Sequence, residues 1–236
     1  MKKSWLRILA LSSFMAFLAA AAFLFIQKID ADSIVMTNAS SVRTIVLDPG
    51  HGGEDGGTIG YSGTIEKDLN LDIALRLKDL LEWNGFRVIM TRDGDYALND
   101  DGLSTIGERK RSDMYHRLEM YNSDLQALVI SIHLNQYPDS SCRGAQIFYS
   151  QNNPASEELA QSIQSAIKLQ LQPENHRKIK PAEKNLFLLF HAKPPTVLVE
   201  CGFISNPEEE ALLLQEEYRT KFAMSIFDGM MDYLTG

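Results

Sequence analysis

Cysteine is scarce in this chain. Cys142 and Cys201 are the only two among 236 residues. Two cysteines make no disulfide framework, and without a CxxC pair there is no zinc ribbon. One bridge between them stays open only if the fold brings their Cα atoms within about 7 Å. Positive charge is short as well. The 31 acids outnumber 23 lysines and arginines, for a net charge of −8. A nucleic-acid binder needs a basic footprint, so this balance argues for no nucleic-acid partner. There is no internal repeat, and no low-complexity tract beyond the N-terminus. What is present is an ordinary apolar share of 44%, enough for a real core.

One apolar run is long. Lys2, Lys3 and Arg7 precede "ILALSSFMAFLAAAAFLFI", an uncharged stretch from Ile8 to Ile26. It matches a hydrocarbon core of ~30 Å. The basic flank should stay in the cytoplasm, which sends the rest outside. Ala19–Ala22 offer small-residue sites for signal-peptide cleavage. Phe23–Ile26 carry the apolar run past those alanines, which favours an uncleaved anchor. The expected organisation is a basic flank at 1–7, a membrane anchor or signal peptide at 8–26, a polar linker at 27–42 and one domain at 43–236. In either case the domain works outside the cytoplasm.

Within that domain strands alternate with helices, which predicts an α/β fold. The expected sheet is twisted, mostly parallel and about six-stranded, with helices on both faces. Strands are expected at Thr44–Asp48, Phe86–Thr91, Ala127–His133, Ala145–Ser150, Leu186–Phe190 and Thr196–Glu200. Helical spacing of Leu69, Ile73, Leu77, Leu80 and Leu81 marks a helix from about Lys67 to Asn84. A charged helix follows at about Glu108–Asn122, with Met114, Leu118 and Tyr121 facing inward. Others are expected at Pro154–Leu171, after the Ser205/Asn206 cap, and at about Glu217–Tyr233. The polar loop from Asp93 to Gly107 is longer than most connections and could cover a cleft.

Three of the strands end in a group that binds metal or moves protons: His51, His133 and Glu200. In open α/β sheets the ligand crevice lies at the carboxyl ends of the strands. Glu66, just ahead of the first helix, should start on that same side. Each has a bland alternative. A lone histidine at a strand end is more often structural, and Glu66 could simply favour a helix dipole. Glu200 is harder to dismiss, because a carboxylate in an apolar strand is costly to bury unpartnered. His116, His176 and His191 read as surface residues, with lining of the site as the alternative for His191. Two histidines and a glutamate suit catalytic zinc, leaving a fourth position for water. The spacing is not HExxH, and by itself it leaves zinc open. If zinc is there, Glu200 would be the base that takes the proton of the activated water.

Taken in order, "LDPGHGGEDGG", a glutamate ahead of a helix, "SIHLN" and "VECGFISN" resemble the zinc-dependent N-acetylmuramoyl-L-alanine amidases of the type 3 family. The resemblance runs from about Thr44 to Tyr233. The apolar N-terminus and short chain are most similar to the family's sporulation branch, which helps form the muramic δ-lactam of spore cortex. The resemblance implies one Zn2+ held by His51, Glu66 and His133, with Glu200 as general base. The bond cut would join the lactyl group of muramic acid to L-alanine in peptidoglycan. Asp48, Asn135 and Arg92 are candidates for substrate contact or for orienting the ligands: Asp48 would orient His51 or hold its turn, and Arg92 would meet a substrate carboxylate. Leu134 stands where many members have a small residue, so a narrower site mouth is expected. Cys201, beside the base, reads as a bystander rather than a metal contact. Two rival readings are a zinc peptidase of wall stem peptides and a silent wall-binding module. The second conflicts with the presence of all four site residues. A protein activator would be a further partner.

Overall fold

Runs rich in Val, Ile and Leu form the sheet, because branched side chains pack well on a pleated surface. In the computed structural model, which describes residues 43–236, the strands are β1 (Thr44–Pro49), β2 (Arg87–Met90), β3 (Leu128–Asn135), β4 (Gln146–Tyr149), β5 (Lys180–Pro181) and β6 (Thr196–Phe203). The helices are α1 (Glu66–Trp83), α2 (Ile106–Tyr121), α3 (Ala155–Gln170), α4 (Phe187–His191), α5 (Pro207–Leu213) and α6 (Glu216–Thr235). The expected membrane segment 8–26 and the linker lie outside the described residues. Among the described residues, no helix is long and apolar enough to cross a membrane.

The sheet order is β2-β1-β3-β6-β4-β5. The first four strands are mutually parallel. This matches the expected mostly parallel, six-stranded α/β sheet. β4 departs from it by pairing antiparallel with β6, and β5 follows the direction of β4. The cause is the connection. Residues 136–145 contain no helix to carry the chain back across the sheet, as a parallel crossover requires. β4 therefore starts near the edge where β3 finishes. The expected strand at Leu186–Phe190 is instead the short helix α4. Periodicity alone cannot separate strand from helix in so short an apolar run.

Two helix starts show why these segments fold locally. Thr105 and Glu108 form a reciprocal capping box at α2. Asn206 caps α5 by accepting from the N–H groups of Glu208 and Glu209, with Pro207 at the first position.

Side chains alternate across each strand, and this alternation decides where the site can be. Ile45, Leu47, Ile130, Ile132, Val197 and Val199 face one way, into a core shared with α1, α3 and α6. Each such fully buried side chain contributes roughly 1.5–3 kcal/mol. The other face carries Val46, Val129 and Leu198 in two smaller clusters, with Tyr121 of α2 and Leu189 of α4. Asp48, Ser131, His133 and Glu200 share the parity of this second face. It is the thinner layer, and the gap between α2 and α4 opens onto it. Leu134 and Cys201 have the opposite parity and are buried in the large core. Leu134 therefore does not narrow the site mouth, and Cys201 is the expected bystander. Neither cysteine is bonded to another.

Candidate active site

β1 is wholly buried and ends in Pro49, from which the chain turns through Gly50 into His51. The Gly50 N–H still donates to the Ile132 carbonyl, at 2.9 Å. The ladder ends there. His51 then adopts φ 64°, and among the described residues it is the one non-glycine with a positive φ. Two glycines make space for this. A Cβ on Gly50 would lie 2.1 Å from the His133 ring. One on Gly57 would lie 2.6 Å from Glu66 and 2.7 Å from His51. The glycines thus let the turn approach the other site residues.

Neighbouring parallel strands supply two more groups. β3 delivers His133, and β6 delivers Glu200 directly opposite it in register. Glu66 is the first residue of α1 rather than the one before it. The helix has no side-chain cap. Its free N–H groups on Glu66 and Lys67 are met by the carbonyls of Thr58 and Gly56, which ties the glycine loop to the helix start.

The three residues meet at Glu66 Oε1. His51 Nε2 lies 3.3 Å from it and His133 Nδ1 lies 3.1 Å from it. Ligand atoms of all three are within 4.8 Å of one another. Glu66 is fixed from behind. Its Oε1 accepts from Leu134 N at 3.1 Å and Asn70 Nδ2 at 3.2 Å, and its Oε2 accepts from Thr58 N at 2.9 Å. The other His51 nitrogen, Nδ1, bonds Asp55 Oδ2 at 3.0 Å. Lys110 in turn pairs with Asp55, at 2.8 Å.

Burial disfavours a charged His51, but Asp55 and Glu66 outweigh it and push the pKa up to about 9. Burial likewise works against the Glu66 carboxylate, yet the two imidazoles hold it well below the usual carboxylate range. The cluster therefore calls for positive charge at its centre, as a divalent cation would supply. Two imidazoles and one carboxylate converging with an outer carboxylate on His51 fit a catalytic zinc site. Glu200 is different. Burial pushes its pKa up to about 7 against the pull of His133 and His51, with Glu66 adding to the rise. Its Oε2 is sheltered from water and has no hydrogen-bond partner. An unpartnered carboxylate beside such a cluster is free to exchange a proton.

A cleft of about 280 Å3 opens beside His51 and His133. Its wall is Leu186–Leu189 of the α4 segment, with Met114 and Asp113 of α2 across from it. His191 ends α4 on the exposed surface and is absent from that wall. The loop expected to cover the cleft packs beside the glycine turn instead, where Asp95 binds Gly53 N and Lys67.

Two of the remaining candidates, Asp48 and Arg92, sit differently from the expectation. Asp48 does not touch the His51 ring. It is fully buried and accepts from Thr91, Arg117, Ser131 and Tyr121. Through Arg117 it is linked to the turn, because that guanidinium also donates to the carbonyls of Pro49 and His51. Arg92 meets no solvent and so cannot receive a substrate carboxylate; its guanidinium donates only to backbone carbonyls. Asn135 closes β3, half-buried, and its carbonyl accepts from Ile204 N at 2.9 Å. Asp55 escapes a reading based on strand ends because it sits in the loop. Its signal is its place four residues after His51 on a glycine turn.

Comparison with known proteins agrees with this geometry. The family model described as N-acetylmuramoyl-L-alanine amidase matches residues 45–232. The germination-specific N-acetylmuramoyl-L-alanine amidase of Bacillus subtilis is 39% identical over 83% of this chain and 81% of its own. The CwlD amidase of Clostridioides difficile, solved in complex with the GerS lipoprotein, superposes with a TM-score of 0.79 at 38% identity. That match covers 82% of this chain and 98% of the other. An N-acetylmuramoyl-L-alanine amidase from Clostridium difficile 630 gives a TM-score of 0.71 at 30% identity, over 84% of this chain and all of the other. The cluster at the strand ends, the parallel sheet that aims it and these matches agree: the chain belongs to the type 3 family of N-acetylmuramoyl-L-alanine amidases.

Proposed function

We propose that this amidase uses one zinc ion, held by His51 Nε2, Glu66 and His133 Nδ1, and that Glu200 is its general base. The observation that carries the reading is the convergence of both imidazoles on Glu66 Oε1, beside a half-buried carboxylate with one sheltered, unpartnered oxygen. Zinc bound there supplies a Lewis acid for the scissile carbonyl and lowers the pKa of water to ~7. The chain's own groups do the rest. Asp55 fixes the His51 tautomer so that Nε2 faces inward. Glu200 takes one proton from the attacking water and returns it to the nitrogen of L-alanine as the amide bond breaks. The apolar wall of α4 shields that exchange from bulk water.

The substrate proposed is the muramoyl–L-alanine amide of spore-cortex peptidoglycan, in support of δ-lactam formation. The germination-specific relative and the sporulation-like sequence support this. The wall lies outside the cytoplasm, and the basic flank and apolar run at 1–26 support anchoring there by the membrane. The neighbour solved with a lipoprotein supports a protein partner for this chain too.

Metal removal tests the reading. Stripping the full-length chain with a chelator should abolish hydrolysis of purified peptidoglycan, and one equivalent of zinc should restore it. Magnesium should not, since it prefers oxygen ligands and octahedral geometry. Hydrolysis that persists in the zinc-free chain would contradict the proposal.

A further inference from the structure

Three consecutive carbonyls of the turn that carries His51 are gripped by two buried arginines. Arg92, just past β2, donates from Nε to Pro49 O at 2.9 Å and from Nη2 to Gly50 O at 2.9 Å. Its remaining bonds go to the carbonyls of Gly94 and Lys67. Arg117 of α2 donates from Nη1 to Pro49 O at 2.9 Å and from Nη2 to His51 O at 2.7 Å. Pro49 O is thus shared by both guanidinium groups. The grip begins where the ladder between β1 and β3 ends.

We infer that Arg92 and Arg117 are positioning residues for the metal ligand His51, together holding its turn in the left-handed conformation that aims the imidazole at Glu66. This rests on the zinc reading proposed above. A left-handed backbone is strained for a residue with a Cβ, and it persists only where its surroundings over-determine it. Two planar forks on successive carbonyls do that. Arg117 is itself fixed by Asp48 at 2.6 Å and by Asp113 at 2.7 Å. Arg92 is the more telling case. Only 1% exposed, it makes no ion pair with a carboxylate among the described residues. A guanidinium buried on neutral carbonyls is costly to desolvate, and an apolar residue in its place would leave those carbonyls without a donor. What the arginine adds is control of the turn. A lysine keeps the charge but, as a point donor, cannot reproduce the fork.

The test measures zinc affinity of the full-length chain by competition with a chromogenic chelator. Arg92→Lys and Arg117→Lys should each weaken zinc binding about 10–100-fold, the usual effect of losing support around a ligand. With zinc saturating, Arg92→Lys should leave KM unchanged, because Arg92 is buried and does not line the cleft. Arg76→Lys is the control. Arg76 bonds Asp72 and Thr220 between α1 and α6, and its replacement should leave zinc affinity at the wild-type value. If Arg117→Lys does not fold, Arg117→Met combined with Asp48→Asn removes both charges together and should show the same weakening. Wild-type zinc affinity in the folded arginine variants would overturn the inference. So would equal weakening in Arg76→Lys, which would reduce the effect to general stability. A wild-type chain that binds no zinc would instead overturn the underlying metal reading.

Discussion

Glu200→Gln should leave zinc bound and lower turnover about 10²–10⁴-fold. The carboxylate stands directly opposite His133 across β3 and β6, yet it makes no hydrogen bond through Oε2. An amide of the same shape cannot accept the water proton, so the chemical step loses its base while the metal ligands are untouched. The substitution should not unfold the chain. A neutral amide is cheaper to bury than a carboxylate. The melting temperature should therefore equal or exceed the wild-type value. The decisive readings are kcat on purified peptidoglycan and zinc content by elemental analysis. A variant with near-normal kcat would remove Glu200 from the proton path. One that loses its zinc would make Glu200 a ligand instead.

Glu66→Gln should do the opposite and lose the metal first. Glu66 is the point on which both imidazoles converge, and its carboxylate also accepts Thr58 N, Asn70 Nδ2 and Leu134 N. A glutamine keeps one acceptor oxygen. Its NH2 must then face either a donor N–H or the two histidines. A zinc ion held there would supply several kcal/mol of transition-state stabilisation. Its loss should cost about 10³-fold or more in rate. A buried polar contact left unmet adds about 1–3 kcal/mol of destabilisation. Calorimetry and zinc titration read the two effects separately. Retention of tight zinc binding would show that Glu66 is not a ligand.

Much of this site is legible in the sequence because strand ends are. His51 follows β1, and His133 and Glu200 lie near the carboxyl ends of β3 and β6, which parallel strands put on one edge. Glu66 is legible for the same reason, as the helix must begin there. Less legible are groups whose role depends on what covers them. Arg92 reads as a substrate contact and Arg117 as part of a charged surface helix, and only the folded turn supplies the carbonyls that justify burying them. Asp55 gives no periodic signal, because a loop has no face. The α4 segment, "FLLFH", is too short for its period to be read, so the cleft wall is invisible before the fold is known. The reversal of β4 depends on a missing helix in residues 136–145, which composition alone does not disclose.

The most direct test of the account is to digest purified spore-cortex and vegetative peptidoglycan with the zinc-loaded full-length chain and read the products by mass spectrometry. The account predicts free stem peptides that begin with L-alanine, together with glycan whose muramic acid keeps a bare lactyl carboxyl. Cleavage within the stem peptide, with the muramoyl–alanine bond intact, would contradict it and make the protein a wall peptidase.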